Sequence, residues 1–276
     1  MLLWDVEICP RHIPIFEAIS AAGFDGVEIP LVDKNVQQLD VLANACDNLG
    51  LKRTASVFMT PEFNPISPNP AIRKAAVGNL KQRIDEALQI KATKLIGGFY
   101  QAHKYFTNKA PTHQEWQWSR EVMYEAGVHA QQAGVHLAME YLNRFEAHLI
   151  NTAVDAKRMV NEIGLDNVGV LYDTHHANIE DPDPLSTLQH IRKEVSHIHL
   201  SESHRGTLGT GQVDFYATFA ALREINYSGW LVIEAFGNHN STIVPAANIW
   251  RNAFTSEQEV IESGIKFIRD RIAHGC

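Results

Sequence analysis

Four side chains of metal-ligand type close or end short apolar runs. Glu140 ends VHLAME, Asp173 ends VGVLYD, His199 sits in VSHIHL and Glu234 ends WLVIE. If these runs are parallel strands of an α/β barrel, all four side chains stand at its carboxyl-end mouth, where active sites of such barrels lie. Taken singly, a carboxylate after an apolar strand is more often a helix cap or a solvated end. Together, two glutamates, an aspartate and a histidine offer three oxygens and one nitrogen, a set that suits a divalent ion such as Mn2+, Co2+ or Mg2+. Structural zinc would more often draw on cysteine, and no cysteine lies near these positions.

Other polar residues cluster close by. His176, three positions past Asp173, reads equally as a substrate contact or as a surface residue. His197 shares a strand face with His199, because alternate residues point the same way, and reads as a packed ring or as a support behind the ligands. Glu146 and Arg205 each lie six residues beyond a proposed ligand, where a hydroxyl-rich substrate needs acceptors and donors. Alone, either would read as a surface charge or a salt-bridge member. The glycine-rich stretch 206–211 lacks the GK[ST] of a phosphate-binding loop and reads as a tight turn.

Positioning these groups requires a regular scaffold. Eight β-branched or apolar runs, at 2–6, 26–29, 52–58, 94–98, 135–140, 168–173, 195–200 and 230–234, read as strands. Stretches such as 36–49, 72–88, 114–132 and 154–163 carry apolar residues at three and four spacing and read as the helices between them. Gly23, Gly50, Gly134 and Gly164 each follow such a helix, where a left-handed cap is needed. The rhythm predicts an α/β fold, a (β/α)8 TIM barrel, as a single domain over 1–276. No GxGxxG follows the first strand, which removes the best signal for a dinucleotide-binding open sheet. Two long connections, 58–69 and 99–113, read as pocket walls or a lid, or as tolerated surface insertions.

Composition narrows the function classes. With 24 basic and 32 acidic residues the chain has a formal net charge of −8, which repels a phosphate backbone, so nucleic acid is not an expected partner. No run of 18 apolar residues is present, so no membrane partner is expected. Cys9, Cys46 and Cys276 are far apart and odd in number, as cytosolic thiols are. The acidic start, MLLWDVEICP, does not have the pattern of a signal peptide, and a cytoplasmic location is expected.

The segments EYLNRFE, YDTHHANIEDPD, HIHLSESHRG, IEAFG and IWRNAF resemble the ketose 3-epimerases, the D-tagatose and D-psicose (allulose) 3-epimerase group of the xylose isomerase-like barrels. The likeness is densest from Glu140 to Arg251, where ligand spacings of 33, 26 and 35 positions agree without a gap. It implies one Mn2+ or similar ion per subunit, held by Glu140, Asp173, His199 and Glu234, with Glu140 and Glu234 doubling as the acid/base pair. Glu146, His176 and Arg205 would hold the carbonyl end of a free ketose, and the subunits would form a homodimer or homotetramer. The implied reaction inverts carbon 3 through a cis-enediolate, the ion stabilising the charge that develops when the proton leaves.

Departures from that pattern bear on the pocket. The third run ends in SVFMTPEF rather than a glycine-containing turn, His175 replaces a usual Phe, and Ala235 replaces a common proline. Tyr100, His103 and Tyr105 offer new contacts. Three other readings stand beside the epimerase. An aldose–ketose or hydroxypyruvate isomerase, or a keto-sugar lyase, would use the same metal site. An endonuclease IV-like DNA-repair enzyme would need several metals and extra histidines where Phe58 and Met59 stand. A non-catalytic sugar-binding protein would need no paired glutamates.

Overall fold

The run 168–173, VGVLYD, is buried at every position, as a parallel strand covered on both faces must be. It is one of seven in a computed structural model that describes residues 1–32 and 38–274. Strands β1 (Gly26–Pro30), β2 (Lys52–Ser56), β3 (Lys94–Gly97), β4 (His136–Glu140), β5 (Val168–Asp173), β6 (Val195–Leu200) and β7 (Leu231–Ile233) are hydrogen-bonded in chain order, all parallel. The helices between them cover the outside of a nearly closed barrel. The large apolar core lies between this wall and the helices, while Ile96, Ala138 and Leu171 form a separate small cluster.

Local sequence sets the helix limits. Helix His113–Ala133 opens on a reciprocal cap: Thr112 Oγ1 accepts from Glu115 N at 3.2 Å and Glu115 Oε2 accepts from Thr112 N at 2.7 Å. Helix Ala153–Ile163 opens on Thr152, whose hydroxyl accepts from Asp155 N. The four glycines expected to end helices, Gly23, Gly50, Gly134 and Gly164, all have positive φ. The start of the 36–49 stretch and the Cys276 thiol lie outside the described residues; the helix spans Leu39–Asn48.

The first expected strand is absent among the described residues. Residues 2–6 fold back instead, with Trp4 N and Asp5 N both donating to Met1 O, at 3.0 and 3.3 Å. Asp5 draws the chain away from the wall: its carboxylate accepts from Glu7 N at 3.2 Å and from Arg11 at 3.0 Å. The Met1 ammonium still reaches β1, donating to Glu28 O at 2.8 Å. Between β7 and β1 lies a cavity of about 690 Å³, with Leu3, Trp4, Gly26, Trp230, Val260 and Ile268 in its lining.

Both long connections are tied to the barrel mouth and to each other. Met59 and Ala102 form a parallel bridge, His103 N donates to Met59 O at 2.9 Å, and the buried Asn64 side chain accepts from Ala102 N at 3.0 Å. Lys104 N donates to Glu146 O at 2.8 Å. These bonds make the two loops one built wall.

That wall begins where β3 ends, at Gly97, with φ of +136°. A Cβ there would stand 2.0 Å from Val57 O, a backbone atom with no freedom to retreat. Gly97→Ala is therefore expected to lower the unfolding free energy by about 2 kcal/mol or more, from positive φ and the clash together. Urea unfolding checks this; an unchanged midpoint would show that the turn relaxes without strain.

Candidate metal centre

Parallel register puts Asp173 and His199 directly opposite one another on β5 and β6. Glu140 ends β4, and Glu234 follows β7, with its N–H still donating to Leu200 O of β6 at 3.0 Å. All four side chains point into the barrel mouth. One ligand atom from each lies within 4.8 Å of the others. Asp173 is fully buried, and its two oxygens serve different ends. Oδ1 caps the helix Thr174–Glu180 by accepting from His175 N at 2.7 Å, and Oδ2 faces the cluster.

His199 is the pivot. Its Nε2 lies 2.9 Å from Glu28 Oε1, while its buried Nδ1 has no hydrogen-bond partner and faces Glu140 Oε1 at 3.6 Å and Glu234 Oε1 at 3.4 Å. An orphaned imidazole nitrogen aimed between three carboxylates fits a divalent ion, and the donor set of one nitrogen and three carboxylate groups matches the same chemistry.

Arg205 reaches further in than a rim residue would. Its Nη1 donates to Asp173 Oδ2 at 2.7 Å, to Glu234 Oε2 at 2.5 Å and to Ser201 Oγ at 3.0 Å. Its Nη2 lies 3.0 Å from His176 Nε2. His176 is buried, not a surface residue, and its Nδ1 accepts from Asn143 N at 3.0 Å. Glu146 is held by His103 Nε2 at 3.1 Å and Asn143 Nδ2 at 3.0 Å. Glu140, Glu146, His176, Arg205 and Glu234 line one small cavity with Phe58 and His103.

Burial and charge divide the carboxyls. Burial pushes Asp173 up to about 8; the Glu234 and Glu140 carboxylates add to that push and Arg205 opposes it. Burial also raises Glu140, with Glu234 adding to the effect against His199. Glu234 is subject to the same burial, but His199 and Arg205 outweigh it and hold the group down at about 2. The His199 ring goes well above its ordinary value, against its burial, because Glu28 and Glu234 face it.

A family model described as xylose isomerase-like TIM barrel matches residues 16–271. The chain belongs to the xylose isomerase-like TIM barrel family. Among relatives, a ketose 3-epimerase of Arthrobacter globiformis is 32% identical over 255 residues, covering 91% of this chain and 87% of the relative. An L-ribulose 3-epimerase of Mesorhizobium japonicum is 30% identical, over 90% of this chain and 84% of its own length. A solved structure of an L-ribulose 3-epimerase matches with a TM-score of 0.94 at 29% identity, covering 99% of this chain and 93% of that one.

Several neighbouring residues of this family member take roles other than those the sequence suggested. Tyr100 is fully buried and its hydroxyl donates to Ile150 O at 2.8 Å, so it is a strut rather than a contact in the pocket. Tyr105 packs against the large core. The 206–211 stretch is a turn, and it clasps the chain's own Glu202: Gly209 N donates to Oε1 at 3.1 Å and Ser203 N to Oε2 at 2.8 Å. Glu28 and Asn143 went unnoticed in the sequence. A charged residue inside the apolar strand GVEIP was the available signal for the first; nothing local marks the second.

These directions carry a sign for metal uptake. With Asp173 pushed up to about 8 and His199 raised well above its ordinary value, an entering cation competes with protons at both groups. Mn2+ affinity is thus expected to rise between about pH 6 and pH 8, with protons released on binding. Calorimetry in two buffers of different ionisation enthalpy reads the proton count; an affinity flat across that window would contradict the arrangement.

Proposed function

We propose that this chain is a metal-dependent ketose 3-epimerase, an isomerase that inverts carbon 3 of an unphosphorylated ketose by proton transfer between Glu140 and Glu234. The observation that carries this reading is the glutamate pair itself. Both face His199 Nδ1, at 3.6 and 3.4 Å, and their proton affinities are pushed apart, Glu140 upward and Glu234 down to about 2. Two titratable groups with diverging environments are what an acid and a base working at one carbon require.

Glu140, Asp173, His199 and Glu234 would hold the ion. When bound, it supplies the positive charge that makes a proton beside a ketone acidic enough to remove. The chain's own residues do the rest. Glu234, kept ionised by Arg205 and His199, accepts the proton from one face of carbon 3. Glu140, whose carboxyl more readily holds a proton, returns one to the opposite face, which inverts the centre. Arg205, His176 and Glu146 bind the carbonyl end: a fixed cation, a ring with a single orientation set by Asn143, and a carboxylate held well below its usual range, against burial, by His103, His176 and Arg205. Phe58 and His103 of the loop wall line the same cavity.

A free sugar fits the glycine turn at 206–211, where Gly209 N donates to Glu202 and Gly206 N to His204 Nδ1 rather than facing a phosphate. The reading includes Mn2+ as the ion, a homodimer or homotetramer, and a cytoplasmic setting that suits the free thiols of Cys9 and Cys46. Among the described residues no helix is long and apolar enough to cross a membrane.

The test is product analysis in heavy water with Mn2+ and a panel of free ketoses: fructose, psicose, tagatose, sorbose, ribulose and xylulose. Deuterium at carbon 3 of an inverted ketose is the expected outcome. Glu234→Gln, which keeps an oxygen donor but cannot take a proton, is expected to lower kcat by roughly 10²- to 10⁴-fold. An aldose product would move the reading to an aldose–ketose isomerase, and absence of exchange with every sugar would end it.

A further inference from the structure

His199 can present Nδ1 to an ion only if its other nitrogen carries the proton, since a neutral imidazole has one donor and one acceptor. The partner of that other nitrogen is Glu28, a buried carboxylate on β1, across the barrel from β6. Its Oε1 lies 2.9 Å from His199 Nε2. Its Oε2 accepts from Thr54 Oγ1 of β2 at 2.8 Å and stands 3.1 Å from Nε2 of the fully buried His197. Glu28 is thus fixed from two sides, and one of its oxygens can only accept from His199.

We propose that Glu28 is a positioning residue for the metal centre: its carboxylate accepts the hydrogen bond from His199 Nε2–H and so fixes Nδ1 as the nitrogen that faces Glu140, Asp173 and Glu234. The inference rests on the metal-site reading above. A ligating histidine whose far N–H is bound by a carboxylate is locked in tautomer and ring angle and is a more basic ligand, and loss of such a partner weakens metal binding by about 10- to 100-fold. Thr54 and His197 act one step further out by keeping the Glu28 carboxylate in place.

The experiment titrates Mn2+ into the full chain and counts free ion by electron paramagnetic resonance, so that no sugar or turnover enters the readout. Glu28→Gln is expected to raise the Mn2+ Kd by about 10- to 100-fold, with circular dichroism unchanged and one ion per chain in both proteins. The concentration of Mn2+ that gives half-maximal activity should move by the same factor. Thr54→Val, which loosens Glu28 without altering its charge, should shift the Kd in the same direction by a smaller factor; it alone decides the matter if Glu28→Gln does not fold. A Kd within about twofold of the parent would overturn the inference while leaving the metal site standing. Two ions per parent chain, one of them lost in Glu28→Gln, would overturn it in favour of Glu28 as a ligand itself. A parent chain that binds no Mn2+ would fail the metal-site reading and this inference with it.

Discussion

Three carboxylates, two buried and Glu234 partly so, converge on one imidazole nitrogen, and their mutual repulsion is the constraint around which the mouth of the barrel is arranged. Two like charges about 4 Å apart repel by roughly 4 kcal/mol at the effective dielectric of a protein site, so three cannot remain ionised together without compensation. The chain answers this in two ways. It brings the Arg205 guanidinium onto Asp173 and Glu234, and burial raises the proton affinity of Asp173 and Glu140. A site built this way favours a cation, because one divalent ion offsets what otherwise needs a guanidinium and several protons.

Arg205 is itself held under constraint. It has φ of +61°, uncommon for a residue with a side chain. Its N–H donates to Glu202 O, its carbonyl accepts from Phe236 N, and its guanidinium lies over the Phe236 ring at 5.2 Å. Glu202 is in turn clasped by the 203–209 loop. The plain glycine turn therefore sets the backbone from which Arg205 reaches the carboxylates. Ser201, at the tip of β6, ties the same region to β5 and to Glu234 through its exchange with Thr174 and its bond to Glu234 O at 2.7 Å.

What the sequence made legible follows from periodicity. Strand ends with an ionisable residue after an apolar run foretell that Glu140, Asp173, His199 and Glu234 come together, because alternation and parallel register leave them no other side to face. The first run, 2–6, has the composition of a strand yet forms a turn; the Asp5 bonds to Glu7 and Arg11 that decide this are specific contacts that no pattern of apolar spacing encodes. The two readings of Asp173, cap or ligand, turn out not to exclude each other, since its two oxygens face different ways. His176 lies in the two-turn helix Thr174–Glu180 and Arg205 in a loop, both too short or irregular for a period to indicate direction, so their burial became visible only in three dimensions. Glu28 was hidden for the opposite reason: it lies inside a strand, and its partners are 26, 169 and 171 positions away.

The contrast between strand-borne and loop-borne residues bears on how such a site divides its work. Glu140, Asp173 and His199 each stand in register with a neighbouring strand, Glu140 with Leu171, Asp173 with His199, and His199 also with Val232, and a small displacement of any one would need the wall to move. Phe58 and His103, by contrast, are borne on connections whose ties are to each other, to Asn64 and to Glu146. On the proposed reading the wall therefore fixes which bond is broken, while the loops decide which sugar fits. His103 is the joint between these two parts, because the same Glu146 carboxylate it holds lines the cavity with His176 and Arg205, where the proposed substrate would bind. A change of loop sequence at Phe58 would alter the shape of that cavity without touching Glu140, Asp173 or Glu234, which is how one barrel chemistry can be carried onto different sugars.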